Sequence, residues 1–132
     1  MSDRVLDIEE LGNKIIGAAI EVHRALGPGL LESAYERCLL HKLTLEGIKA
    51  RRQVVQPIHY KGLDLDEGYR IDILVDDRIV LELKVVDRLT AVHTAQLITY
   101  LKLSGCTLGY LINFNAKLLK EGMKRIVHQH ND

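Results

Sequence analysis

Apolar residues in the first quarter of the chain recur every three or four positions: Ile8, Leu11, Ile15, Ala19, Val22 and Leu26. That period predicts an amphipathic helix over residues 6–26, which Gly27-Pro28-Gly29 stops. A second helix is predicted over residues 30–45, closed by Gly47. The period then shortens. Val54, Val55, Ile58 and Tyr60 predict a strand that Pro57 interrupts and confines to an edge or bulge. Residues 68–75 (GYRIDILV) and 79–86 (IVLELKVV) alternate at period two around Asp76-Asp77-Arg78, which predicts a hairpin. Helical spacing returns over residues 90–104 and ends at Gly105. Residues 108–114 (LGYLINF) read as a buried strand and residues 123–127 as a last strand or turn. The order α-α-β-β-β-α-β predicts an α/β domain with a mixed sheet, residues 1–132 forming one unit.

The hairpin register follows from the side-chain pattern. A two-residue loop would set Asp72 beside Leu81, whereas a three-residue loop pairs Val75 with Ile79 and sets Asp72 opposite Glu82. The second register gives one wholly apolar face: Ile71, Ile73, Val75, Ile79, Leu81, Leu83 and Val85. The other face carries Arg70, Asp72, Leu74, Val80, Glu82 and Lys84. A slip of one residue would scramble this sorting, so the three-residue loop is expected.

That register has a chemical consequence. Two carboxylates on directly opposed residues repel unless something cationic lies between them. Lys84 points to the same side as Glu82. Hard oxygen ligands converging beside an ammonium suit Mg²⁺ or Mn²⁺, and the lysine could orient or help deprotonate an attacking water, or balance a developing phosphorane charge. A solvated polar face with a surface Glu–Lys pair is the competing reading, although Leu74 and Val80 would be unusual members of one.

Composition narrows the function. The 132 residues carry 18 Lys+Arg and 18 Asp+Glu, a formal net charge of zero. This argues against tight, indiscriminate nucleic-acid binding of the kind a basic excess provides, but not against a local contact with a phosphate backbone. An apolar share of 47% fits a folded chain. Cys38 and Cys106 lack any CxxC spacing, which argues against structural zinc and disulfides and for inert core thiols. The charged start MSDRVLDIEE reads as no signal peptide, and the short apolar runs as no membrane span, so a cytoplasmic location is expected.

Asp72 followed by Glu82-Leu83-Lys84 resembles the D…(D/E)xK signature of the PD-(D/E)xK nuclease superfamily, with Ile71 where the motif's Pro would stand. Gln96 and Tyr100 give a QxxxY spacing similar to the additional motif of that superfamily's exonuclease branch. Residues 29–35 spell GxxExxY, and with the surrounding EVHRALGPGLLESAYERCL and the later AQLITYLKLSG the chain is similar to the small bacterial GxxExxY family. The resemblance implies a restriction-endonuclease-like core, a mixed sheet with a central hairpin flanked by helices. It implies Asp72 and Glu82 as ligands of the divalent metal, with Glu32 as an acidic residue contributed by the preceding helix. Lys84 would be the catalytic lysine, and Gln96 and Tyr100 would border the site. The activity implied is metal-dependent hydrolysis of phosphodiester bonds in DNA or RNA. The alternative is a non-catalytic nucleic-acid- or protein-binding module that keeps the fold.

Other residues carry open readings. Glu32 and Tyr35 lie three apart and share a helix face, where Glu32 could equally serve the helix N-terminus. His93 continues the Gln96–Tyr100 stripe, next to a core stripe of Leu97 and Leu101 flanked by Val92 and Leu103. His23 reads as a satisfied core histidine or as a metal or phosphate contact. Lys49, Arg51 and Arg52 form one basic run, and Lys117, Lys120, Lys124 and Arg125 another. Bound phosphates are expected at Arg51, Arg52, Lys124 and Arg125, with modest, salt-sensitive affinity. A homodimer or a protein partner on the GxxExxY helix stays open.

Overall fold

Asp7 opens the first helix of the computed structural model, which describes residues 5–129. Its carboxylate accepts the Glu10 N–H at 2.8 Å and caps α1 (Ile8–Leu26). After the Gly27-Pro28-Gly29 turn comes α2 (Glu32–Leu45). The single interrupted strand expected around Pro57 is two elements. One is β1 (Ala50–Val55) and the other is β2 (Ile58–Tyr60), which pairs with β3 (Leu63–Leu65) in a separate ribbon turned by Lys61 and Gly62, both at positive φ. Three-residue strands are too short to leave a periodic signal, which is why β3 is not legible in the sequence.

Next come β4 (Arg70–Val75) and β5 (Ile79–Lys84). Val75 faces Ile79, Leu74 faces Val80 and Ile73 faces Leu81, the register of the three-residue loop. Asp76 and Asp77 take left-handed φ of 52° and 56°, which Asp tolerates in turns. The helix α3 (Ala91–Ser104) carries the chain over to β6 (Leu108–Asn113), parallel to β5. A 3₁₀ turn at Leu119–Gly122 leads into β7 (Met123–Val127), a strand antiparallel to β6. The sheet order is β1-β4-β5-β6-β7. It is a mixed five-stranded sheet with helices on both faces.

One face packs on α1 and α2: Ile73, Val75, Ile79, Leu81 and Leu83 meet Leu11, Ile15, Ala19, Tyr35, Leu39 and Leu43. On the opposite face Leu74, Val80 and Leu111 are covered by Leu97 and Leu101 of α3. The hairpin face expected to be polar is therefore a second small core whose polar groups are confined to one end. Ile71 belongs to it as well, contrary to the alternation, because the strand changes phase at Asp72. Val92 and Leu103 are exposed, so the core stripe of α3 is narrower than its spacing predicted. Cys106 is buried and Cys38 is exposed on α2, so only one thiol lies in the core. The expectation of one domain over residues 1–132 includes residues 1–4 and 130–132, which lie outside the described residues.

Gly109 sets how closely α3 sits. A Cβ there would lie 2.9 Å from Leu97 Cδ1 and 3.1 Å from the Val80 carbonyl oxygen. Gly109→Ala should therefore lower stability by about 1–3 kcal/mol, the usual cost of overpacking, read as a lower urea midpoint at unchanged slope.

Candidate active site where β4 and β5 part

The β4–β5 ladder ends at Ile73–Leu81. Beyond it, side chains replace backbone partners: the Leu83 N–H donates to Asp72 Oδ2 at 2.8 Å, and the Asp72 N–H points to Glu82 Oε1 at 3.4 Å. Strands that would otherwise zip together are thus held apart by their own carboxyl groups. The gap opens beside Lys84, the last residue of β5. Asn113 fixes the chain just beyond, bonding both the N–H and the C=O of Val86 at 3.1 and 2.9 Å.

Glu82 is 5% exposed. Burial, and then the negative charge of Asp72, push its carboxyl up to about 9 from an ordinary 4.5, and Lys84 offsets only part of this. A side-chain hydrogen bond with Asp72 raises it further. Two carboxyl groups in such contact need a proton between them, or a cation in its place. That chemistry fits a divalent ion held by oxygen ligands. Among the described residues, however, no three His, Cys, Asp or Glu side chains are arranged as a closed metal-holding group. The remaining ligands of any such ion would be water or substrate oxygens, as is usual for Mg²⁺.

The first turn of α2 lies near Asp72 and Lys84. Glu32 is solvent-exposed as a residue, yet partial burial and the charge of Asp72 raise its carboxyl above the usual range, with Lys84 acting the other way. One turn on, Glu36 is 3% exposed and accepts from Arg52 Nε at 3.0 Å and from Gln53 Nε2 at 2.9 and 3.0 Å. The same Gln53 amide reaches Asp72 Oδ1 at 3.5 Å. Gln53 stands between the Arg52–Ile73 and Val54–Ile71 pairs with a left-handed φ of 51°, a conformation few non-glycine residues adopt. Glu36 and Gln53 are members of the site that sequence reasoning missed. For Glu36 a signal existed, since positions four apart on a helix share a face; for Gln53 there was none.

The model of the PD-(D/E)XK nuclease superfamily matches residues 9–126, nearly the whole chain. The chain belongs to that superfamily. Neither curated proteins nor solved structures give a match. The mixed sheet with flanking helices is consistent with the superfamily's restriction-endonuclease-like fold, whose name refers to nuclease activity.

Other sequence candidates lie in varied surroundings. Tyr100 borders the site: burial and the Glu82 charge raise its hydroxyl above the ordinary value, while a backbone hydrogen bond at Arg70 lowers it. Gln96 is exposed on the same helix. His93 Nδ1 accepts the Thr90 N–H at 3.0 Å and completes a capping box, so this ring caps the start of α3. Tyr35 points away from Glu32 into the core, fully buried and stacked on Phe114 with centroids 4.6 Å apart. Its hydroxyl donates to the Gly27 carbonyl and accepts the Leu30 N–H at 3.1 Å, and so latches the turn that delivers Glu32. His23 is buried, with Nε2 2.8 Å from the Ala116 carbonyl; a carbonyl only accepts, so this nitrogen carries the proton. Three of the four expected phosphate contacts hold carboxylates: Arg51 with Asp77, Arg52 with Glu36, and Arg125 with Glu9. Lys124 Nζ donates to Thr94 Oγ1 at 3.0 Å. No helix among the described residues is long and apolar enough to cross a membrane.

Proposed function

We propose that this chain is a metal-dependent phosphodiesterase of the GxxExxY group that hydrolyses DNA or RNA with Mg²⁺ or Mn²⁺. The observation that carries this reading is the Asp72–Glu82 carboxyl pair, held in the gap between β4 and β5 with Lys84 beside it. Asp72 and Glu82 would hold the ion, and Glu32 would contribute through water from the first turn of α2. When bound, the ion would supply Lewis-acid polarisation of the scissile phosphate and a nucleophile available at neutral pH. The Lys84 ammonium would hold the attacking water and balance charge developing on the phosphorus oxygens. Gln53 and Glu36 would orient Asp72 from behind, and Tyr100 would limit the substrate's approach on the α3 side.

A labelled panel of duplex DNA, single-stranded DNA and RNA tests the reading. Cleavage of at least one substrate is expected with Mg²⁺ or Mn²⁺ and none with excess EDTA. Intact substrate throughout the panel, in every metal condition, would favour a binding module that kept the fold.

A further inference from the structure

The chain's basic runs sort differently in space than in sequence. Arg51, Arg52 and Arg125 are neutralised by carboxylates, but Lys117 and Lys120 part company with Lys124 and Arg125. They line a cleft of about 460 Å³ together with Arg24, His23, Ile20, Gly27 and Pro28. Among the described residues, none of Arg24, Lys117 and Lys120 has a carboxylate within ion-pair distance, and no acidic side chain lines this cleft.

The cations are brought together by tertiary contacts. Arg24 lies on α1, whereas Lys117 and Lys120 lie on the segment between β6 and β7. The hydrogen bond from His23 to the Ala116 carbonyl ties the two elements at the residues next to Arg24 and Lys117. Phe114, packed on Tyr35 and near His23, backs the junction. Three like charges held in one concavity repel one another, and a polyanion relieves that repulsion.

The cleft is joined to the candidate active site along the chain. Gly27 and Pro28 line it, and the same turn runs into Glu32. Lys117 is shared with a second cleft of about 450 Å³, whose wall includes Asp87, Arg88, Leu89 and Asn113. Asn113 pairs with Lys84 in the β5–β6 ladder. Asp87 and Glu121 make that second cleft mixed in charge, so the favourable seat for an anion is the first.

We propose that Arg24, Lys117 and Lys120 form the seat for a nucleic-acid phosphodiester backbone, which runs from there past Lys117 toward Lys84. The choice of ligand rests on the phosphodiesterase reading above, while the seat itself rests on the three cations. Each phosphate neutralised contributes about 0.9 to the slope of log affinity against log salt for duplex DNA and about 0.7 for a single strand.

Fluorescence anisotropy in EDTA, where no metal-dependent cleavage confuses binding, tests the seat on fluorescein-labelled duplex DNA, single-stranded DNA and RNA. The variant Arg24→Ala/Lys117→Ala/Lys120→Ala is expected to bind at least about tenfold more weakly at low salt. Its salt slope should fall by roughly 2–3 for duplex DNA or about 2 for a single strand. Lys14→Ala and Lys102→Ala, which remove exposed charges elsewhere, should match the parent. An unchanged slope in the triple variant would overturn the proposal, as would a parent that binds none of the three probes. Binding that depends on these residues in a chain that never cleaves would leave the seat standing and remove only the phosphodiesterase reading.

Discussion

Glu82→Gln is expected to melt well above the parent at pH 8 in the presence of a chelator, and close to it at pH 4. The carboxyl of Glu82 titrates near 9 in the folded chain against an ordinary 4.5. Its folded pKa is raised, so the contribution of the protonated group to stability is fully present below 4.5 and declines as pH rises toward 9. At pH 8 the unfolded chain has released that proton and folding must recover it. The cost at that pH is on the order of 3–5 kcal/mol, since each tenfold change in proton affinity is worth about 1.4 kcal/mol. Gln keeps the shape and a donor toward Asp72, and it carries no proton to recover. The metal-free variant should gain roughly 10 °C in Tm at pH 8. Equal melting temperatures at pH 8 would mean that the Asp72–Glu82 pair is more open to water than its burial indicates. The substitution that stabilises the apo chain should also remove cleavage, since Gln is a poor ligand for a hard divalent ion.

The second large effect is on turnover. Asp72→Asn and Lys84→Met should each reduce cleavage by roughly 10²–10³-fold or more, the scale on which losing one charge-stabilising group is felt. The two should differ in kind. Asp72→Asn removes a proposed ion ligand, so raising Mn²⁺ should recover part of its rate. Lys84→Met keeps the carboxyl pair, so its loss should persist at saturating metal. Circular dichroism and urea midpoints check that both fold. A Lys84→Met variant with parental turnover would contradict the role given to the lysine.

The hairpin register was legible because period-two sorting permits one loop length that makes a face wholly apolar, and the structure has that register. The phase change at Asp72 was not legible. It arises from carboxyl groups replacing ladder partners and from Gln53 turning left-handed opposite them, and neither device alters the hydrophobic pattern. The second core under α3 was hinted at by Leu74 and Val80, which a solvated face would seldom carry. Tyr35 and Glu32 share a motif, but Tyr35 serves the turn and core while Glu36, outside the motif's lettered positions, faces Asp72 through Gln53. The basic runs misled because neutralisation is tertiary: Arg125 meets Glu9 from the opposite end of the chain, and Arg24 joins Lys117 only after folding.

Mn²⁺ binding to the parent and to Asp72→Asn, measured by isothermal titration calorimetry at neutral pH without nucleic acid, tests the carboxyl pair most directly. The account predicts saturable binding to the parent and a loss of at least about tenfold in affinity in a variant that remains folded. Equal affinity in the two proteins, or no binding to the parent, would contradict it.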